Sequence, residues 1–204
     1  MSVPDRAKRP RLLLPLGGIG YVYAVIGLII AWSTVTALAG SEDRFLSAVR
    51  KDPARVLGVS PELGTADDRQ RVAERDAQTL WSRRRVLLPL AGMNAIASLL
   101  VLLGVTRALS RRSRRAGWGR SAWQLGLVVW IPCLALDTVV ASLQTRELLA
   151  AIAELHDPVA EQLRGALLQR STFVIAQAAL SATYLVGAAL YLSTRAVVAY
   201  CRDT

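Results

Sequence analysis

Four stretches of the chain are almost wholly apolar: residues 12–39, 86–106, 121–143 and 171–194. Each has the length of ~20 residues that an α-helix needs to cross the hydrocarbon core of a bilayer. The first runs 28 residues without a charge, and the third carries a single carboxylate, Asp137. This spacing of apolar blocks predicts an all-α, polytopic membrane protein with four transmembrane helices, forming a single membrane domain over residues 1–204.

The polar connections carry helical signals of their own. In 40–85, Ser41 can cap a short helix that bears Phe45, Leu46 and Val49, and Asp52-Pro53 can open another. Thr65-Ala66-Asp67-Asp68 resembles a capping box; beyond it Val72, Ala73, Leu80 and Trp81 recur near helical spacing, so this helix is expected to run on into the second span. In 144–170, Leu148, Leu149, Ile152 and Leu155 suggest one helix, and Asp157-Pro158 a break followed by another. The expectation is two helical loops on one side of the membrane. Residues after the fourth span read as a short tail.

Ala37-Leu38-Ala39 fits a small-x-small cleavage site. A secretory core is only ~7–15 apolar residues long, however, so the first block reads as an uncleaved helix.

The formal charge of +10 arises from 25 basic and 15 acidic residues. With the N-terminus in the cytoplasm, the inner segments hold 12 Arg or Lys in 35 residues and the outer ones 13 in 73. Density of basic residues beside the spans sets orientation, so both termini are placed in the cytoplasm. Arg111, Arg112, Arg114 and Arg115 form the inner basic cluster, while Arg83-Arg84-Arg85 beside the second span argues the other way. Ala-, Leu- and Arg-rich usage points to a high-GC bacterium and hence to its inner membrane. The expected partners are the lipid bilayer, including anionic lipid at the cytoplasmic face, and a second copy of the chain or another membrane protein. Nucleic acid is not expected, because no binding module accompanies the charge.

Asp137 is the sharpest chemical signal, since a carboxylate near a helix centre costs ~2.5–3.5 kcal/mol on insertion scales and should face other helices. Counted inward, Asn94, Gln177, Ser33 and Thr34 fall near its depth, so each helix can supply a polar group to one layer, with Asn94 or Gln177 bonding the acid. This layer is either interhelical glue or a proton or cation site. Gly20, Ala24, Gly27 and Ala31 on the first helix, and Ala179, Thr183 and Gly187 on the fourth, offer small-residue faces for close helix packing. Trp32, Trp81, Trp118, Trp123 and Tyr191 match an aromatic belt, with Trp130 deeper.

Glu154, His156 and Asp157 cluster in the second loop, but one histidine in the whole chain is a poor start for a metal site, and none is expected. Neither a cofactor nor a disulfide is expected. No Gly-x-Ser-x-Gly, His-Glu-x-x-His, Walker or Cys-x-x-Cys motif occurs. The leading expectation is a non-catalytic interaction or accessory subunit rather than an enzyme. The alternative is a small proton- or cation-coupled channel or transporter built on Asp137.

Overall fold

The computed structural model describes residues 10–53, 66–110, 116–153 and 158–203. Among these, every element is an α-helix and no strand occurs. The helices are α1 (Leu13–Leu38), α2 (Glu42–Lys51), α3 (Ala66–Ser82), α4 (Arg84–Leu109), α5 (Ala116–Ala153), α6 (Pro158–Leu192) and α7 (Arg195–Asp203).

Four of them, α1, α4, α5 and α6, are long and apolar enough to cross a membrane. No more than 28% of the apolar window of any of these is buried within the chain, so most of their apolar surface faces outward. Leu180, Phe173 and Leu190 are each more than 60% exposed, as are Ile29 and Trp32. Apolar surface on this scale is stable only against an apolar surrounding or a partner.

The helix bounds correct the sequence reading at four points. Residues 144–153 are not a separate loop helix: α5 runs unbroken through them, because no Gly or Pro interrupts 133–153 and the spacing of Leu148 and Ile152 stays in phase. Likewise α6 begins at Pro158 and continues through 171 into the apolar stretch. Helix α3 does not merge with α4; Arg83 forms a one-residue turn between them, its N–H directed at the carbonyls of Thr79 and Leu80. The tail folds as α7, an amphipathic helix that buries Val197, Tyr200 and Cys201. The cap at Ser41 forms as its sequence predicts, with Oγ accepting from the N–H of Arg44. Thr65 of the expected capping box lies outside the described residues, as does the course of the helix expected to open at Asp52-Pro53 beyond residue 53.

The chain divides into two compact units. The first comprises residues 1–32, 91–134 and 180–204. Its core joins Leu13 and Ala24 of α1, Val101 and Val105 of α4, Trp123 and Leu127 of α5, Leu185, Ala188 and Leu192 of α6, and the buried face of α7. Helices α4 and α5 meet backbone to backbone. A Cβ placed on Gly104 would lie 2.3 Å from the Trp123 nitrogen, one on Gly119 2.7 Å from the Ala108 nitrogen, and one on Gly126 2.8 Å from the Ala97 carbonyl oxygen. Positions falling along α4 pair with positions rising along α5, so the two run antiparallel. The end of α6 is held by Arg120, which donates to the Leu192 carbonyl at 3.1 Å, and by Gln124, which donates to Ser193 Oγ at 2.7 Å. A cation at a helix C-terminus satisfies a carbonyl that has no intrahelical donor.

The second unit comprises residues 33–90 and 135–179. It has its own core: Val49 of α2, Val72, Ala73 and Ala77 of α3, Leu148 and Ile152 of α5, and Leu167 of α6. Phe45 stacks on Trp81 with ring centroids 5.8 Å apart, and the Arg84 guanidinium lies 4.5 Å over the Trp81 ring. Arg50 of α2 pairs with Glu74 of α3 at 2.9 Å. Residues 40–53 and 66–85 of the polar connection therefore pack as helices on the ends of α5 and α6.

Candidate functional site

The most buried carboxylate among the described residues is not the one in the apolar stretch. It is Asp76 of α3, 1% exposed. Its place follows from helical phase: Val72, Ala73 and Ala77 sit four and three residues before it and one after it, and all three are core residues. Asp76 thus shares the inward stripe of an amphipathic helix. Its Oδ1 accepts a hydrogen bond from Nε2 of Gln144 on α5. A buried charge requires such a donor, because taking it from water without one is expensive.

A second polar link lies beside it. Arg83, at the turn between α3 and α4, pairs through its guanidinium with Glu147 of α5 and directs another N–H toward the Val140 carbonyl at 3.5 Å. The two links tie α3 and the turn that follows it to one short segment of α5, residues 140–147.

That same segment forms one wall of a cleft of about 270 Å³. Ala141, Gln144, Thr145 and Leu148 come from one face of α5, and Leu167, Ser171, Val174 and Ile175 from α6. Gln144 is therefore shared: its amide nitrogen holds Asp76, and its side chain also borders the cleft. A second cleft, between the end of α1 and α2, is lined by Thr36, Arg44, Phe45 and Val49.

The residues singled out from sequence fall as follows. Asp137, Asn94 and Thr34 are half-buried, whereas Gln177 and Ser33 are exposed. Asn94 belongs to the first unit and the other four to the second.

The two small-residue faces behave differently. Gly20, Ala24 and Ala31 are buried and Gly27 half-buried. The α1 face is filled from within the chain: a Cβ on Gly20 would meet Tyr184 Oη at 2.5 Å, and one on Gly27 would meet Ser98 Oγ at 2.5 Å and the Trp130 ring at 2.7 Å. Tyr184 uses the space at Gly20 to donate to the Leu16 carbonyl at 3.0 Å and to stack on Tyr23. Ala179, Thr183 and Gly187 on α6 are all exposed, and a Cβ on Gly187 would enter open space. A backbone-to-backbone helix contact, through Gly104, Gly119 and Gly126, lies on α4 and α5, outside the two small-residue faces read from the sequence. The seven-residue spacings Ala97–Gly104 and Gly119–Gly126 were its signal.

Of the belt aromatics, Trp32 and Trp118 are exposed, but Trp123 is fully buried and Trp81 nearly so. Those two are core residues. Arg111, Arg112, Arg114 and Arg115 lie outside the described residues, as do Glu154, His156 and Asp157. Cys133 and Cys201 are buried and not joined in a disulfide. Among the described residues no group of three or more His, Cys, Asp or Glu stands together.

No protein-family model, curated protein or solved structure matches this chain.

Proposed function

We propose that this chain is a multi-pass protein of a bacterial inner membrane that acts as a non-catalytic interaction or accessory subunit. Its working part is the helical module of the second unit. Both termini lie in the cytoplasm and the module on the opposite side.

The observation that carries this reading is the continuation of α5 and α6 beyond their apolar stretches. At 38 and 35 residues they extend about 57 and 52 Å at 1.5 Å per residue, far more than the ~30 Å of a hydrocarbon core. The surplus is where α2 and α3 dock around Val49, Val72, Leu148, Ile152 and Leu167. A packed core outside the lipid is a rigid surface suited to binding another protein. The commitment of Arg83 to Glu147 and of Arg84 to Trp81 also supports the orientation, since these two arginines serve the module's structure.

The test is purification in mild detergent with identification of proteins that co-elute. A membrane protein recovered in fixed stoichiometry, and lost when α2 and α3 are replaced by a flexible linker, supports the reading. Recovery of the chain alone, together with proton or cation flux in vesicles that Asp137→Asn abolishes, overturns it in favour of a transporter.

A further inference from the structure

The cleft between α5 and α6 has a property that neither helix has alone: a polar band crosses it between two mainly apolar ends. The helices run antiparallel there, so Leu148 and Leu167 stand at one end, Gln144, Thr145 and Ser171 in the middle, and Ala141, Ser142, Val174 and Ile175 at the other. The polar middle coincides with the sequence boundary of both spans, at 143 on α5 and 171 on α6. Arg146 lines the polar part and is exposed, and among the described residues no ion pair holds it. Ile175 is 56% exposed, so the apolar end is open to the side.

We infer that this cleft binds an anionic phospholipid of the surrounding bilayer. The phosphate meets the Arg146 guanidinium, which presents several N–H donors in a fork that suits phosphate oxygens. The first part of an acyl chain leaves along Val174 and Ile175. A volume of about 270 Å³ suits a headgroup with the start of one chain, not a whole lipid, and the open side lets the remainder stay in the bilayer. The site differs from the cytoplasmic basic cluster in both sequence and side. It rests on the proposal that α5 and α6 span a membrane, and it adds a specific ligand for the module's base.

Recovery decides the membrane reading first: the chain must sediment with membranes after alkaline carbonate washing, and recovery in the supernatant sinks both proposals. The detergent-purified protein is then titrated with phosphatidylglycerol and, separately, with phosphatidylcholine, and bound lipid is counted by native mass spectrometry. One phosphatidylglycerol should persist at activation energies that strip phosphatidylcholine. Arg146→Ala should lower that occupancy at least fivefold. Ile175→Trp, which narrows the open end without touching the charge, should do the same. Arg85→Ala, an exposed arginine beside another span, should change it less than twofold. Inorganic phosphate at millimolar concentration should not displace the lipid. Equal retention of both lipids, or equal losses in Arg146→Ala and Arg85→Ala, would overturn the site while leaving the membrane reading intact.

Discussion

Gln144 Nε2 donates to Oδ1 of Asp76, joining a long helix that carries an apolar stretch to a short helix that has none. The pair is buried at the Asp76 end and sits within the core formed by Val72, Ala73, Ala77 and Leu148. Replacing Gln144 by Leu leaves the carboxylate without this donor. The expected loss is about 1–3 kcal/mol, the usual cost of stripping a partner from a buried polar group. Asp76→Asn keeps an acceptor oxygen and should cost less. Combining Asp76→Leu with Gln144→Leu should recover part of the loss, as measured by thermal unfolding in detergent.

Gly104 and Gly187 make opposite predictions. Gly104→Ala drives a methyl into the Trp123 backbone and must push α4 and α5 apart, at about 1–3 kcal/mol. Gly187→Ala meets open space and should be neutral or stabilising by up to ~1 kcal/mol, since Ala is the better helix former. Melting temperatures of the two variants under one set of conditions decide it.

Glu74 couples the module to pH. Hydrogen bonds from Gln70 and then from Arg50 hold its carboxyl below the usual value of 4.5. A carboxylate depressed in the folded state adds stability above its unfolded pKa and loses it as pH falls through the folded value. The Arg50–Glu74 link between α2 and α3 should therefore be intact at neutral pH and weaken below about pH 4.5. Amide exchange protection in α2 should fall over that window, and Glu74→Gln should remove that component of the pH dependence.

Orientation can be read with introduced thiols. Ser82 and Ser110 are both exposed, and they lie at opposite ends of α4. In a background with Cys133 and Cys201 replaced by Ala, a membrane-impermeant maleimide added to spheroplasts should label Ser82→Cys and spare Ser110→Cys. The reverse pattern would invert the topology. In the detergent-solubilised native chain, where both faces meet the reagent, Cys201 should react slowly, because burial pushes its thiol above the usual value of 9.0 while Arg120 only partly offsets this.

The four apolar helices were legible because an uninterrupted run of Leu, Val, Ile and Ala permits little else at that length. Their ends were less so. Residues 144–153 are polar enough to look like a connection, yet lack any breaker, and helix continuation won over composition. Asp76 was overlooked because its neighbours Arg75 and Glu74 are charged, although its phase with Val72, Ala73 and Ala77 marks it as inward. Gln177, exposed within the chain, marks the converse limit: counting depth along a helix gives a residue's height but not the direction it faces. Tyr184 shows what pattern alone misses, since its bond to the Leu16 carbonyl depends on a gap left by a glycine 164 positions earlier in the chain.

The glycine seam between α4 and α5 constrains permeation. With Gly104, Gly119 and Gly126 pressed against the opposing main chain, even a methyl group does not fit between the two helices at these three points. A hydrated ion, being larger than a methyl group, cannot pass between the helices at those points. A conducting pathway, in a protein of this architecture, would have to be bounded by this helix pair rather than pass through it.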